Sequence, residues 1–278
     1  MSRPSISACL PAYNDGGTIA SMVVMADLTL RQVSDDYEII VGNDQSADYT
    51  GEVLEELKRH IPHLRVFHHE KNKGYGGNLR FLFSHATKEY IFYTDGDGQY
   101  DVRELVKLTA RVRPGVDIVN GYKISRNDPI HRIILGRVYH HIMKLAFGFK
   151  IRDVDCDFRL MRRRCFDLVT LKEKDGTFPL EMVTKFTHAG FVFDEVPVHH
   201  YHRVYGISQF FNVRRLVRVV KDIARMWIEL VVLGGADVSV RRVDMSFYPS
   251  TNGHAASSVD GGEHAAASIA PAEMSAGS

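Results

Sequence analysis

The stretch Tyr90-Ile91-Phe92-Tyr93-Thr94-Asp95-Gly96-Asp97-Gly98-Gln99-Tyr100-Asp101 decides how the chain is read. Its apolar run, Tyr90 to Tyr93, has the length and composition of a buried strand. Two aspartates, one residue apart, follow it. On an extended backbone positions i and i+2 point the same way, so Asp95 and Asp97 aim two carboxylates at one point just past the strand end. Gly96 and Gly98 leave that point uncrowded. A hard divalent cation held partly by phosphate oxygens asks for this arrangement, one or two carboxylates with the remaining positions left to water and phosphate. By itself the pair also describes an ordinary polar turn. A calcium loop is excluded. Counted from Asp95 it needs Gly at its sixth position and Glu at its twelfth, and those are Tyr100 and Val106.

Working outward, residues 6–10 form a compact apolar strand closed by Pro11 and the polar turn Tyr13-Asn14-Asp15-Gly16-Gly17. A helix follows, with Thr18 as its cap and apolar positions from Met22 to Leu30. Strands at 37–41 and 64–68 end in Asn43-Asp44-Gln45-Ser46-Ala47-Asp48 and Asn72-Lys73-Gly74-Tyr75-Gly76-Gly77-Asn78, and each runs into a helix. A further helix passes through Leu105 and Leu108, and 117–120 reads as a fifth strand. Strand and helix alternate for the first 120 residues, the signature of an open, mostly parallel α/β sheet. In such sheets ligands sit beyond the carboxyl ends of the strands. The polar clusters at 13–15, 44–46, 73–77 and 95–99 all follow strands and should meet on one edge.

The chain then changes character. Residues 129–149 are apolar over much of a helix, with Arg and His interspersed, and 153–164 set an acidic cluster against a basic one. Residues 178–190 read as a helix carrying Glu181, and 192–201 alternate like a strand. Residues 212–233 form an amphipathic helix, basic through Arg214, Arg215, Arg218, Lys221 and Arg225, and apolar through Leu216, Val220, Ile223, Trp227 and Leu230. Beyond Tyr248 almost no large apolar residue remains, the composition of a disordered tail. The domain reading is therefore one unit at 1–235 (a first half at about 1–122, a second at about 123–210, the amphipathic helix at about 210–235) and a tail at 236–278.

Bulk properties narrow the classes. The chain has 278 residues, 45% apolar and 25% charged, which suits one globular domain and a tail. A net charge of +1 gives no global case for nucleic acid. Cys9, Cys156 and Cys165 are few, odd in number and without metal spacing, which points to a reducing compartment. The N-terminus shows no apolar signal region, and no run reaches the ~18 uninterrupted apolar residues of a membrane span. A soluble or peripheral protein is expected.

The succession Leu10-Pro11-Ala12-Tyr13-Asn14-Asp15, then the motifs at 43–48, 72–78 and 95–99, then Asp155-Cys156-Asp157-Phe158-Arg159-Leu160, resembles glycosyltransferase family 2 over residues 5–210. Within it, the chain resembles the polyprenyl-phosphate (dolichyl-phosphate-like) sugar synthases. The resemblance implies a GT-A fold, a Rossmann-like half followed by an acceptor half, and Mg2+ or Mn2+ as cofactor. It implies that Pro11, Ala12, Tyr13 and Asp15 hold a nucleotide base and ribose, that Asp44 contacts the base, and that Gly96 lies against the donor. Asp95, Asp97 and Gln99 match metal and diphosphate positions. Lys123, Arg132 and Arg203 match basic residues that meet the donor diphosphate and the acceptor phosphate, and Ser208 lies in the loop closing over them. Three departures are visible: Asp15 where Glu is usual, Asn43 in place of a first aspartate, and Lys123 where Arg is common, a point charge in place of a bidentate fork.

The implied partners are a UDP- or GDP-linked sugar, polyprenyl phosphate, and the cytoplasmic face of a membrane, reached directly or through a membrane-anchoring subunit. The implied reaction is transfer of a hexose or N-acetylhexosamine with inversion. A monoester phosphate has its second pKa at about 6, so a lipid phosphate would attack without a general base. With a hydroxyl acceptor, Asp155 or Asp157 is the natural base. With a phosphate acceptor both would order Arg159 and the metal loop, while Asp153 pairs with Arg152 or another neighbour. The alternatives are transfer to a sugar hydroxyl and a silent nucleotide-sugar-binding subunit. The adjacent His pairs 68–69, 140–141 and 199–200 lack ligand spacing, Lys73 lacks a P-loop context, and Arg162–Arg164 reads as a solvated face or an acidic-lipid contact.

Overall fold

The structure is a computed structural model that describes residues 3–126, 130–203, 205 and 213–233. Seven strands, β1 (Ile6–Ala12), β2 (Tyr37–Asn43), β3 (Leu64–His68), β4 (Tyr90–Thr94), β5 (Ile118–Arg126), β6 (Phe158–Arg162) and β7 (Phe193–His200), make one sheet. Its order is β3-β2-β1-β4-β6-β5-β7. Helices α1 (Ile19–Val33), α2 (Thr50–His60), α3 (Tyr75–His85) and the short α4 (Leu105–Thr109) connect the first five strands. The later helices are α5 (Ile130–Phe147), the single turn α6 (Cys165–Leu168), α7 (Phe178–Ala189) and α8 (Val213–Trp227), which continues as a π-helical turn, Ile228–Val232.

Period-two alternation builds the two layers. In β1, Ile6, Ala8, Leu10 and Ala12 face a core with α1 and α2, while Cys9 faces the opposite core with α3 and α7. In β4, Tyr90 and Phe92 take the first face and Ile91 and Tyr93 the second. Both faces of these strands are covered, so they read as continuous apolar runs. A third cluster joins Met143 and Phe147 of α5 to Phe149, Ile151, Leu180 and Val183, and to Met226 and Leu230 at the end of the chain's last described helix.

Strand pairing positions the site. β1 pairs parallel with both β2 and β4, so the chain winds outward in two directions from the gap between β1 and β4, a topological switch point. β6 runs antiparallel between β4 and β5, with Thr94 opposite Phe158. The start of β6 therefore lies at the same edge as the end of β4. The division drawn near residue 122 falls within β5, so the two halves share one sheet. The 236–278 tail lies outside the described residues.

Two readings are corrected and a third is narrowed. Residues 158–162, taken as part of an acid–base cluster, are a central strand whose Arg159 is fully buried. A charge in the middle of a sheet breaks the apolar pattern by which strands are found. Arg162 and Arg164 are not a free basic face: they meet Glu89 and Asp117, each at 2.7 Å. Of the two partners read for Asp153, Arg152 or another neighbour, the second holds: Lys123 Nζ lies 4.0 Å away, and Arg152 lies 3.9 Å from Glu195.

Candidate active site

The four polar clusters meet at the carboxyl edge, tied by hydrogen bonds between loops. The Asn14 amide donates to Ser46 Oγ at 2.9 Å, and the Lys73 amide to Asp44 Oδ1 at 2.7 Å. Thr18 caps no helix amide with its side chain; its hydroxyl donates to the Gly96 carbonyl at 2.8 Å, joining the first loop to the D-x-D loop. Gly96 is required by close approach. A Cβ there would lie 3.0 Å from the Pro11 carbonyl and 3.3 Å from Asp15 Oδ2.

Antiparallel pairing brings Asp157, one residue before β6, beside Asp95, one residue after β4. Asp95 Oδ1 accepts the Tyr75 hydroxyl at 2.8 Å, and Asp157 Oδ1 accepts the Tyr93 hydroxyl at 3.1 Å. Arg159 in turn donates to Tyr93 Oη, to Asn120 Oδ1 and to the Val154 carbonyl. Asp157 thus meets Arg159 through Tyr93. Asp97 Oδ1 accepts the Gln99 amide at 2.9 Å, and Asp97 Oδ2 pairs with Arg203 at 2.5 Å.

The electrostatics follow from burial. Burial, and then the charges of Asp157 and Asp97, hold Asp95 well above the ordinary carboxylate range. Asp97 and Asp157 are also raised by burial, against the pull of Arg203 on the first and of Arg159 on the second. Asp15 is pushed up to about 6 by burial, with the Tyr13 amide opposing and Asp97 adding. Among the described residues, four carboxyls crowd one edge with only Arg203 paired directly to one of them. That deficit fits a divalent cation. Among the described residues no three His, Cys, Asp or Glu side chains form a complete cage, so a cation here would rest on the aspartate pair and complete its shell with water and diphosphate oxygens.

The remaining assignments sort by position. Pro11 and Ala12 end β1 buried, Tyr13 stands 44% exposed at the edge, and Asp44 is buried beside the Lys73 amide. The Gln99 side chain donates to the Tyr201 carbonyl at 3.1 Å, stitching the D-x-D loop to the end of β7. Lys123 Nζ turns inward to the Asp155 carbonyl at 2.7 Å. Ser208 and the Arg132 side chain lie outside what is described. The reading of the sequence gave no site role to Tyr75 or Tyr93 and took Thr18 only as a helix cap. No local pattern marks a single phenol as the partner of a distant carboxylate.

The seven-stranded, mostly parallel sheet with acidic loops at its switch point has the GT-A arrangement. Residues 7–169 match the model of Glycosyl transferase family 2, and the chain belongs to that family. Among curated relatives, it is 29% identical to glycosyltransferase AglD of Haloferax volcanii, over 82% of this chain and 38% of that protein. It is 26% identical to undecaprenyl-phosphate 4-deoxy-4-formamido-L-arabinose transferase of Enterobacter sp., over 78% of this chain and 66% of that protein. The chain therefore spans less than two thirds of either relative. Among solved structures, glucosyl-3-phosphoglycerate synthase of Mycobacterium tuberculosis, in complex with Mn2+ and UDP-glucose, superposes with a TM-score of 0.62 at 14% identity, over 81% of this chain and 78% of that one.

Proposed function

We propose that the chain is a metal-dependent, inverting glycosyltransferase that moves a hexose or N-acetylhexosamine from a nucleoside diphosphate sugar to polyprenyl phosphate at the cytoplasmic membrane surface. The observation that carries this reading is the convergence of Asp15, Asp95, Asp97 and Asp157 with Arg203 at the switch point. The undecaprenyl-phosphate relative supports the acceptor class.

Each group has work that follows from its place. The loop after β1 (Pro11, Ala12, Tyr13, Asp15) and Asp44 would receive the base and ribose, Asp44 being held by the Lys73 amide. Asp95 and Asp97 would hold Mg2+ or Mn2+. The bound ion would neutralise charge developing on the departing nucleoside diphosphate. Arg203 sits on Asp97, so it can exchange that carboxylate for a phosphate; Lys123, Arg132 and Ser208 are assigned to the phosphates by the family resemblance alone. An anionic lipid phosphate attacks from the opposite face, and Asp157, whose Oδ1 accepts from Tyr93, then orders the loop rather than taking a proton.

The acceptor's lipid calls for a surface. Val138, Ile142 and Leu145 on α5, and Trp227, Ile228, Val232 and Leu233 at the end of the last helix, are exposed, and Trp227 Nε1 donates to the Ala146 carbonyl at 3.0 Å, joining the two helices. No described helix is long and apolar enough to cross a membrane. The test is a transfer assay with Mn2+ or Mg2+, short-chain polyprenyl phosphate and a panel of UDP- and GDP-sugars. One donor should give lipid-linked sugar, lost in Asp97→Asn and with chelator. No product from any donor, despite nucleotide binding, overturns the acceptor assignment.

A further inference from the structure

We propose that Tyr75 is a positioning residue that orients Asp95 for its cation. The inference rests on the metal-dependent reading above but concerns a residue outside the D-x-D motif. Tyr75 opens α3, and its pose is fixed from several sides. The Gly76 amide donates to the Lys174 carbonyl at 2.8 Å. A Cβ on Gly76 would stand 2.5 Å from the Glu173 carbonyl, so no other residue lets the helix start so close to that loop. One turn on, Arg80 Nη1 donates to the carbonyls of Leu171 and Glu173 at 3.3 and 3.2 Å, and Asn78 Nδ2 to the Gly42 carbonyl at 2.7 Å.

From this seat the phenol reaches across to Asp95 Oδ1 at 2.8 Å, and its oxygen is also a hydrogen-bond neighbour of Asp157. Tyr93 treats Asp157 in parallel, and the direction of that bond is set: Arg159 donates to Tyr93 Oη, which leaves the phenol proton for Asp157. Two phenols, Tyr93 fully buried and Tyr75 partly so, thus hold one oxygen of each of two mutually repelling carboxylates. Asp95 Oδ2 is left to face the cation. A carboxylate so restrained loses little rotational freedom on binding metal, and outer partners of this kind change metal affinity by about 10–100-fold. Without the phenol, Asp95 would turn freely, and repulsion from Asp157 would drive it away from the cation point.

The measurement is equilibrium binding of Mn2+ to the full chain in the presence of UDP or GDP, followed by the spin resonance of free Mn2+, for wild type and Tyr75→Phe. Phe keeps the ring packing, and a Tm within a few degrees of wild type confirms that the variant is folded. The expected result is a Kd for Mn2+ weaker by about 10-fold, unchanged nucleotide binding without metal, and a transfer rate that recovers at high Mn2+ while the KM for the acceptor stays put. A folded Tyr75→Phe that binds Mn2+ as tightly as wild type overturns the proposal and leaves the transferase reading intact. Wild type that binds no Mn2+ with either nucleotide overturns both.

Discussion

Arg159 is the largest fully buried side chain, and it lies in a central strand, where a lone charge would be costly. Its donors are spread over Asn120, Tyr93 and Val154, and the Asp157 charge holds the guanidinium protonated against burial. One residue thereby fixes the loop before β6 and the phenol that holds Asp157. Asp155, in that same loop, makes the opposite balance measurable. Burial pushes it up to about 6, only partly offset by Lys123. A folded-state value above the unfolded one means that the native protein binds the proton more tightly, so this group costs stability as pH rises from about 4 through about 6. Asp155→Asn should therefore raise Tm at pH 7 by roughly 2–4 °C, with the gain closing by pH 4.5. A gain that does not vary with pH contradicts this. At this scale the D-x-D pair was legible as a pair aimed at one point, because i and i+2 after an apolar run share a face, though the pair alone also fits an ordinary polar turn. Tyr75 was not, since one phenol among glycines carries no periodic signal.

Elements show a different division. The strand signal predicted β1, β2, β3 and β4 to within two residues at their ends; β1, β2 and β4 are buried throughout, while β3, at the sheet edge, is only partly buried. The antiparallel β6 escaped, although its register sets Asp157 beside Asp95. Among the helices, α5 was read as apolar over much of its length, and its described side chains divide: Met143 and Phe147 are buried while Leu145 stands 89% exposed and Ile142 54%. Trp227 is bonded to Ala146, so the outer faces of α5 and of the turn after α8 form one apolar surface. Arg225, read as part of a free basic face, pairs with Glu173 at 2.7 Å and leaves Lys221 among the exposed cations. Under the proposed function, this exposed apolar surface is the candidate for membrane attachment. The wild type should float with anionic liposomes even at moderate salt, and Leu145→Glu combined with Val232→Glu should stay in the soluble fraction while keeping nucleotide affinity. Flotation of the double variant would assign attachment to another surface.

For the whole molecule, the site belongs to no single segment. It is assembled from the loops after β1, β2, β3, β4 and β7 and the loop before β6, and its unbalanced carboxylates oppose folding until a cation or nucleotide arrives. Ligand should thus stabilise the entire chain by mass action, about 2.7 kcal/mol at one hundred times Kd. Mn2+ with UDP or GDP should raise Tm by several degrees at pH 7.5 and by less at pH 5.5, where protons compete for the raised carboxyls. A shift of equal size at both values would show that metal does not use these groups. The sequence by itself determined the alternating α/β sheet, the edge on which its polar loops gather and the aspartate pair, because burial and backbone period write these features locally. Only the tertiary structure decided that Asp157 faces Asp95, that Tyr75 and Tyr93 hold them, that Lys123 turns inward and that α5 shares an exposed face with the last helix. Those depend on strand order, register and helix packing, relations between residues distant in the chain, for which no local pattern of side chains is specific.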